Sequence, residues 1–245
     1  MSSYVKEVSQ TACGLVGRAV LVLVLAAFNN LPARAAETST AIPAPAFDAP
    51  EAASDRPSTA VLAGGCFWGV QAVFQHVKGV ESAVSGYAGG DKALAHYHDV
   101  SSGRSGHAES VEVIFNPRII TYGQILQIYF SVAHDPTQVD RQGPDVGTQY
   151  RSAIFYADDT QRTIAERYIA QLDQVHALRQ RIATRLEPLQ TFYPAESYHQ
   201  DYLVLHPNSP YIVINDLPKL ENLRRLYGNL YRAEPKLVVG QRSTN

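Results

Sequence analysis

Cysteine, tryptophan and any surplus of charge are scarce in this chain of 245 residues. It has two cysteines, Cys13 and Cys66, and one tryptophan, Trp68. Lys and Arg number 21 and Asp and Glu 23, a net charge of -2. Without a basic surplus, nothing points to a nucleic-acid partner. Neither Cys-x-x-Cys nor His-Glu-x-x-His occurs, so the common short zinc motifs are missing. No internal repeat is visible. What is present is an ordinary globular composition, 45% hydrophobic and 18% charged. The length allows one large domain or two small ones with a sizeable core.

The N-terminus is a separate object. Lys6 and Arg18 lie in a mostly polar start, and Ala19–Phe28 is an apolar run of ten residues. That length suits the core of a signal peptide and is too short to span a bilayer. Ala33-Arg34-Ala35 then offers a small-x-small cleavage site. Residues 1–35 are therefore expected to be a signal peptide, cleaved before Ala36, with export to the periplasm or an equivalent space. The alternative is a membrane anchor formed by an uncleaved signal. A lipoprotein does not fit, because Cys13 precedes the apolar run. Cleavage lowers the basic count from 21 to 18 and the acidic count from 23 to 22, a charge of -4. It also leaves Cys66 as the only cysteine, so an internal disulfide is excluded. A lone thiol in an oxidising compartment needs a reason to be kept; packing as a small hydrophobe is one.

Residues 36–58 are rich in Ala, Pro, Ser and acid. They cannot bury enough apolar surface to order themselves and read as a disordered linker. The globular part is expected at 59–245. Thr59–Ala63 reads as a strand closed by Gly64-Gly65. Val70, Val73, Phe74 and Val77 then form a helical stripe that Gly79 ends. Cys66 thus falls where a strand hands over to a helix. Further strands are expected at 80–87, 109–115 and 150–156. Helices follow from the stripes at 122–133 and 164–175. Leu186–Phe192 reads as an edge strand, since Pro188 would block a central one. A short helix is expected at 196–205 and another near 217–226, in a wrapping tail. Strands and helices interleave, so the class is α/β or α+β. The connections 88–108 and 134–149 are long and polar, a common mark of function.

The stretch Gly64-Gly65-Cys66-Phe67-Trp68-Gly69 is the first candidate for chemistry. A thiolate at a helix start is stabilised by the helix dipole and free backbone N–H groups, which lowers its pKa and makes it nucleophilic. The competing reading is that Cys66, Phe67 and Trp68 fill a core. Glu109 is the second candidate. In a strand of period two it shares a face with Val111, Val113 and Phe115. A carboxyl on that buried face is desolvated, keeps its proton near neutral pH and can act as a general acid. The competing reading places it, solvated, at the strand mouth. Tyr97 and Tyr150 lie in or beside the two long loops; taken alone they are packing residues. His96 and His98, and the Glu196-x-x-His199 spacing, raise a metal site. One such helix motif is half of a di-metal site, and solvated histidines explain these residues better, so no metal is expected.

Together these residues resemble a known family. Gly65-Cys66-Phe67-Trp68-Gly69 is similar to the signature of the A-type peptide methionine-S-sulfoxide reductases. Ser85–Gly90 resembles that family's Gly-Tyr-x-Gly-Gly turn, and Gly106-His107-Ala108-Glu109 its Gly-His-x-Glu segment. Asp135–Thr137, Asp145–Ser152 and Ala195–Leu203 also match, so the resemblance runs in order through residues 59–207. Each motif is weak alone and the ordered set is specific. Gln71 departs from the glutamate common after this signature, at a position that reads as structural.

The resemblance implies an α+β fold: a two-layer mixed sheet and helices with extensive coil and a ferredoxin-like core. It implies reduction of the S epimer of methionine sulfoxide, free or in oxidised proteins, to methionine. Cys66 would attack the sulfoxide sulfur and become a sulfenic acid. Glu109 would protonate the oxygen, Tyr97 and Tyr150 would hydrogen-bond it, and Asp145 would support that network. Phe67 and Trp68 would hold the substrate methyl group. Many members carry resolving cysteines near the C-terminus. Here no cysteine follows Cys66, so this looks like a one-cysteine variant. It would bind no cofactor and use an external thiol, from a thioredoxin-like protein or a small molecule, and it is expected to be a monomer. Two other classes remain: a cysteine hydrolase or transferase pairing Cys66 with His199 or His107, and a non-catalytic module that recognises methionine through Phe67 and Trp68.

Overall fold

β1 (Ser58–Gly64) buries all but its first two residues, because it lies in the middle of a sheet. The computed structural model describes residues 39–49 and 56–238. The leader expected at 1–35 lies outside them. After β1 come α1 (Phe67–Gln75), β2 (Val80–Ala88), a short α2 (Tyr97–Ser101) and β3 (Ala108–Phe115). α3 (Tyr122–Ile128) continues into a π-helical turn, Tyr129–Ala133. A small ribbon, β4 (Arg141–Gln142) and β5 (Asp145–Val146), precedes β6 (Ser152–Tyr156), α4 (Asp159–Gln174), β7 (Arg185–Pro188) and β8 (Phe192–Pro194). The tail carries α5 (Tyr202–Leu205), a π turn over Ile212–Asp216 and α6 (Leu217–Leu226).

The six-stranded sheet has the order β7-β6-β1-β3-β2-β8. β6 and β7 are parallel and every other pair is antiparallel. Its four central strands, with α1 and α3, form two βαβ halves in the order β6-β1-β3-β2. That is the ferredoxin-like arrangement, and the fold is α+β with a mixed sheet, as the resemblance implied. The face of β3 that carries Val111, Val113 and Phe115 packs with Phe67, Val70, Val73 and Phe74 of α1 in the main core. Each such side chain, fully buried, contributes about 1.5–3 kcal/mol. The opposite face holds a smaller cluster of Val61, Ala63, Ala88, Ala108, Ala153 and Phe155.

Two expectations need correction. The run 186–192 is not one strand: β7 and β8 lie on opposite edges of the sheet, with residues 189–191 between them. Pro188 does sit in an edge strand, where its missing N–H costs least. Nor are residues 36–58 a free linker throughout. In residues 39–49, Ile42 is buried in the main core, and Tyr168 donates to the Pro43 carbonyl at 2.7 Å. Asp48 accepts from the Gly123 N–H at 2.8 Å and from the Thr121 hydroxyl at the start of α3. The segment cannot make a core of its own, but it joins one. Among the described residues, no helix is long and apolar enough to cross a membrane.

Candidate active site

Cys66 is the residue before α1, the N-cap position. Gly65 makes the turn from β1 possible with φ +87°, and a Cβ there would sit 2.5 Å from Cβ of Gln142. Only glycine satisfies both demands. The thiol is free and 8% exposed. The expectation that the helix start lowers its pKa is corrected. Burial pushes the thiol well up, and the carboxylates of Glu109, Asp216 and Asp145 add to the rise; the backbone N–H of Trp68 alone among these opposes it. Burial, reinforced by the nearby acids, outweighs that one N–H, so the resting thiol is neutral.

Glu109 points inward, as strand alternation predicts. It is 2% exposed and accepts from the Phe67 N–H through Oε2 at 3.1 Å. Burial raises its pKa to about 8; that hydrogen bond pulls it down and Asp145 pushes it up. At neutral pH it is mostly the acid form, with the proton that general acid catalysis needs.

Phe67 is fully buried and Trp68 partly so. Trp68 stacks on Tyr202 with ring centroids 3.7 Å apart and planes 7° from parallel. Its Nε1–H donates to Nδ1 of His199 at 3.2 Å. Tyr211 meets it edge-on at 5.9 Å, and His199 lies 5.1 Å from the Phe67 ring. The two aromatics after Cys66 are therefore fixed in orientation by three residues of the tail.

The other proposed residues converge here. Burial raises the Tyr97 and Tyr150 pKa values, and both feel the charges of Glu109, Cys66 and Asp145. Neither hydroxyl is bonded to another described residue, so both remain donors for a ligand. Asp145 accepts from the Tyr211 hydroxyl through Oδ2 at 2.5 Å. A neutral acid, a thiol, two hydroxyl donors and an aromatic wall can together bind a polar S–O group and attack its sulfur.

Sequence reasoning missed the residues that orient this set. Glu196 accepts from the Tyr97 N–H at 3.0 Å and from the Tyr87 hydroxyl at 2.8 Å, so it anchors the loop that bears Tyr97. The Glu196-x-x-His199 spacing, weighed as half a metal site, is thus two supports of the pocket. Among the described residues, no three His, Cys, Asp or Glu side chains gather as metal ligands do. Tyr202 and Tyr211 gave no signal in a chain with 14 tyrosines. Gln71 is structural, as expected: it donates to the Ala83 carbonyl and to Gln200, and accepts from the Asp201 N–H. The Cys–His alternative fails. His107 accepts from the Gly90 N–H and places Nε2 3.0 Å from the Asp91 carbonyl. His199 receives the Trp68 indole, and neither ring bonds Cys66.

The family model described as peptide methionine sulfoxide reductase matches residues 58–229. Peptide methionine sulfoxide reductase MsrA 2 of Mesorhizobium japonicum is 59% identical over 189 residues, 77% of this chain and 97% of that protein. The protein of the same name from Synechocystis is 46% identical over 198 residues, 80% and 92% of the two chains. Among solved structures, methionine sulfoxide reductase A of Corynebacterium diphtheriae aligns with a TM-score of 0.54 and 32% identity, covering 72% of this chain and 91% of that one. Reduced Mxr1 from Saccharomyces cerevisiae aligns with a TM-score of 0.56 and 32% identity, covering 63% and 88%. This chain belongs to the A-type peptide methionine sulfoxide reductases, enzymes that reduce methionine-S-sulfoxide to methionine.

Proposed function

We propose that Cys66 is the nucleophile of this reduction and Glu109 its acid. The sulfoxide oxygen is a poor leaving group until protonated. Glu109 gives it a proton while the Cys66 sulfur attacks the sulfoxide sulfur. The thiol proton leaves Cys66 and restores the acid. Oxygen passes to Cys66, and the balanced result is a thiol plus a sulfoxide becoming a sulfenic acid plus a thioether. Tyr97 and Tyr150 donate to the oxygen as its charge grows. Asp145 holds Tyr211 against Trp68. Phe67 and Trp68 take the methyl group, so oxygen, methyl and the remaining chain each have one place, which selects one epimer. The observation that carries this reading is the buried Glu109 carboxyl, bonded at 3.1 Å to the N–H of the residue next to Cys66. Turnover of the two epimers by Cys66→Ser and Glu109→Gln tests it; either variant keeping wild-type activity would overturn it.

The regenerating step is an external one in this proposal. No cysteine follows Cys66, so two external thiols, from a thioredoxin-like protein or a small molecule, reduce the sulfenic acid: the first forms a mixed disulfide and releases water, and the second frees Cys66 and leaves with the first as a disulfide. The substrates are free or protein-bound methionine sulfoxide, the enzyme repairs oxidised proteins, and it works as a monomer. The apolar run at 19–28 and Ala33-Arg34-Ala35 support an exported, periplasmic enzyme with its leader removed. N-terminal sequencing of the secreted chain tests that: Ala36 as first residue supports it, Met1 contradicts it.

A further inference from the structure

Trp68, Gln71 and Gln75 lie on one face of α1, at i, i+3 and i+7. All three grip the same short run of chain, residues 199–202. Trp68 donates to His199 at 3.2 Å and stacks on Tyr202. Gln75 donates to Asp201 Oδ1 at 2.6 Å. Between them, the Gln71 Nε2 donates to the Ala83 carbonyl at 3.0 Å and to Gln200 Oε1 at 2.8 Å, and Gln71 Oε1 accepts from the Asp201 N–H at 2.9 Å. Gln200 is held as fully. Its Oε1 also accepts from the Ser85 N–H at 3.0 Å, and its Nε2 donates to the carbonyls of Ser85 at 2.9 Å and Ala195 at 3.1 Å. Both N–H groups and the oxygen of each amide are therefore used. Gln71, Gln200 and Asp201 are all buried.

We propose that Gln71 and Gln200 are positioning residues for substrate binding: their amide pair holds residues 199–202 at the level on α1 where His199 and Tyr202 fix the Trp68 ring. The proposal rests on Trp68 being a wall of the methyl pocket. An amide is the side chain that fits position 71. Two acceptors, the Ala83 carbonyl and Gln200 Oε1, face its nitrogen, and one donor, the Asp201 N–H, faces its oxygen. A carboxylate there would offer no donor, and its acid form only one. Gln200 cannot turn round to compensate, because the Ser85 N–H and two carbonyls fix its orientation. A buried polar network satisfied throughout is rigid, and removing one member leaves the others unpaired. Glu196 holds the Tyr97 side of the pocket by separate bonds, so the amide pair acts on the aromatic wall by itself.

Trp68 is the only tryptophan in the chain, so tryptophan fluorescence reports this ring alone. The test compares the full chain with its Gln71→Met variant, by tryptophan emission and by steady-state kinetics on S-methionine sulfoxide with dithiothreitol. Emission is expected at longer wavelength in the variant, as the stack on Tyr202 loosens and water reaches the ring. KM is expected to rise about 2–10-fold, the range that an aromatic contact is worth, with kcat within about twofold of wild type. A Gln71 with only a structural role would lower the melting temperature and the active fraction, and hence kcat, while emission and KM of the folded chain stay at wild type. That result overturns the proposal. Shifted emission with unchanged KM also overturns it when Trp68→Phe raises KM. When Trp68→Phe leaves KM unchanged as well, the methyl-pocket reading has failed and the proposal falls with it. If Gln71→Met does not fold, Gln71→Glu decides on the same outcomes, since its acid form keeps one donor and the acceptor for Asp201.

Discussion

The backbone N–H of Phe67 donates to Oε2 of Glu109 across 3.1 Å, and this bond fixes the acid beside the sulfur. Phe67 is the first residue of α1 and Glu109 lies on β3. The bond also opposes the effect of burial, and the balance leaves a carboxyl that titrates at about 8. Activity should therefore fall as pH rises through about 8, where the proton is lost. Stability follows the same group. The folded chain holds this proton to about pH 8 and the unfolded chain only to the ordinary carboxyl range, so stability falls with rising pH between about 4.5 and 8. Glu109→Gln keeps an acceptor for the Phe67 N–H but cannot give a proton. It is expected to lose 10²–10⁴-fold in kcat, as removing a general acid does. Its stability relative to wild type should improve as pH rises from about 4.5 to about 8 and stay level above that. Rate profiles and melting curves over pH check both.

Among the described residues, the hydroxyls of Tyr97 and Tyr150 have no partner, whereas Trp68 is held by Tyr202, His199 and Tyr211. Different kinetic losses follow. Tyr97→Phe or Tyr150→Phe should lower kcat, by about 10–100-fold each, because the donors matter when charge develops on oxygen. Trp68→Phe should chiefly raise KM, since a methyl pocket binds ground state and transition state alike. Steady-state kinetics with the S epimer separates the two.

Glu196 accepts from Tyr87 and from the backbone of Tyr97 with different oxygens. In Glu196→Gln one of those oxygens becomes an amide nitrogen. One donor then loses its acceptor, at a cost of about 1–3 kcal/mol. Melting temperature and kcat should fall together.

Asp48, which accepts from Gly123 and Thr121, gives the contrasting case. Asp48→Ala removes a side-chain acceptor at the start of α3 and should destabilise the chain by about 0.5–2 kcal/mol. It stands outside the catalytic set, so kcat is expected to stay unchanged. Denaturant unfolding and turnover assays check this.

Local signals carried much of the reading. Period two placed Glu109 on the face of Val111, Val113 and Phe115, and the change of period after Gly65 placed Cys66 at a strand-to-helix junction. Long-range contacts did not show. Burial raises the pKa of the Cys66 thiol, and one of the acids that add to the rise is Asp216, 150 positions away in the chain; no pattern near the cysteine announces it. Glu196, His199, Tyr202 and Tyr211 act from turns and from a four-residue helix, too short to show a periodicity. Residues 39–49 looked like linker because composition measures whether a segment can build a core, not whether it can join one. The split of 186–192 into two opposite edges was hidden because strand signals carry no sheet order.

The central claim is that sulfoxide oxygen ends on Cys66. The most direct measurement is single turnover of the reduced chain, without external thiol, on S- and R-methionine sulfoxide separately. Released methionine and Cys66 sulfenic acid, trapped by a sulfenate-specific reagent, are counted together. The expected result is one methionine per trapped Cys66 with the S epimer and none with the R epimer. Methionine released while Cys66 stays a free thiol, or equal release from both epimers, would contradict the account.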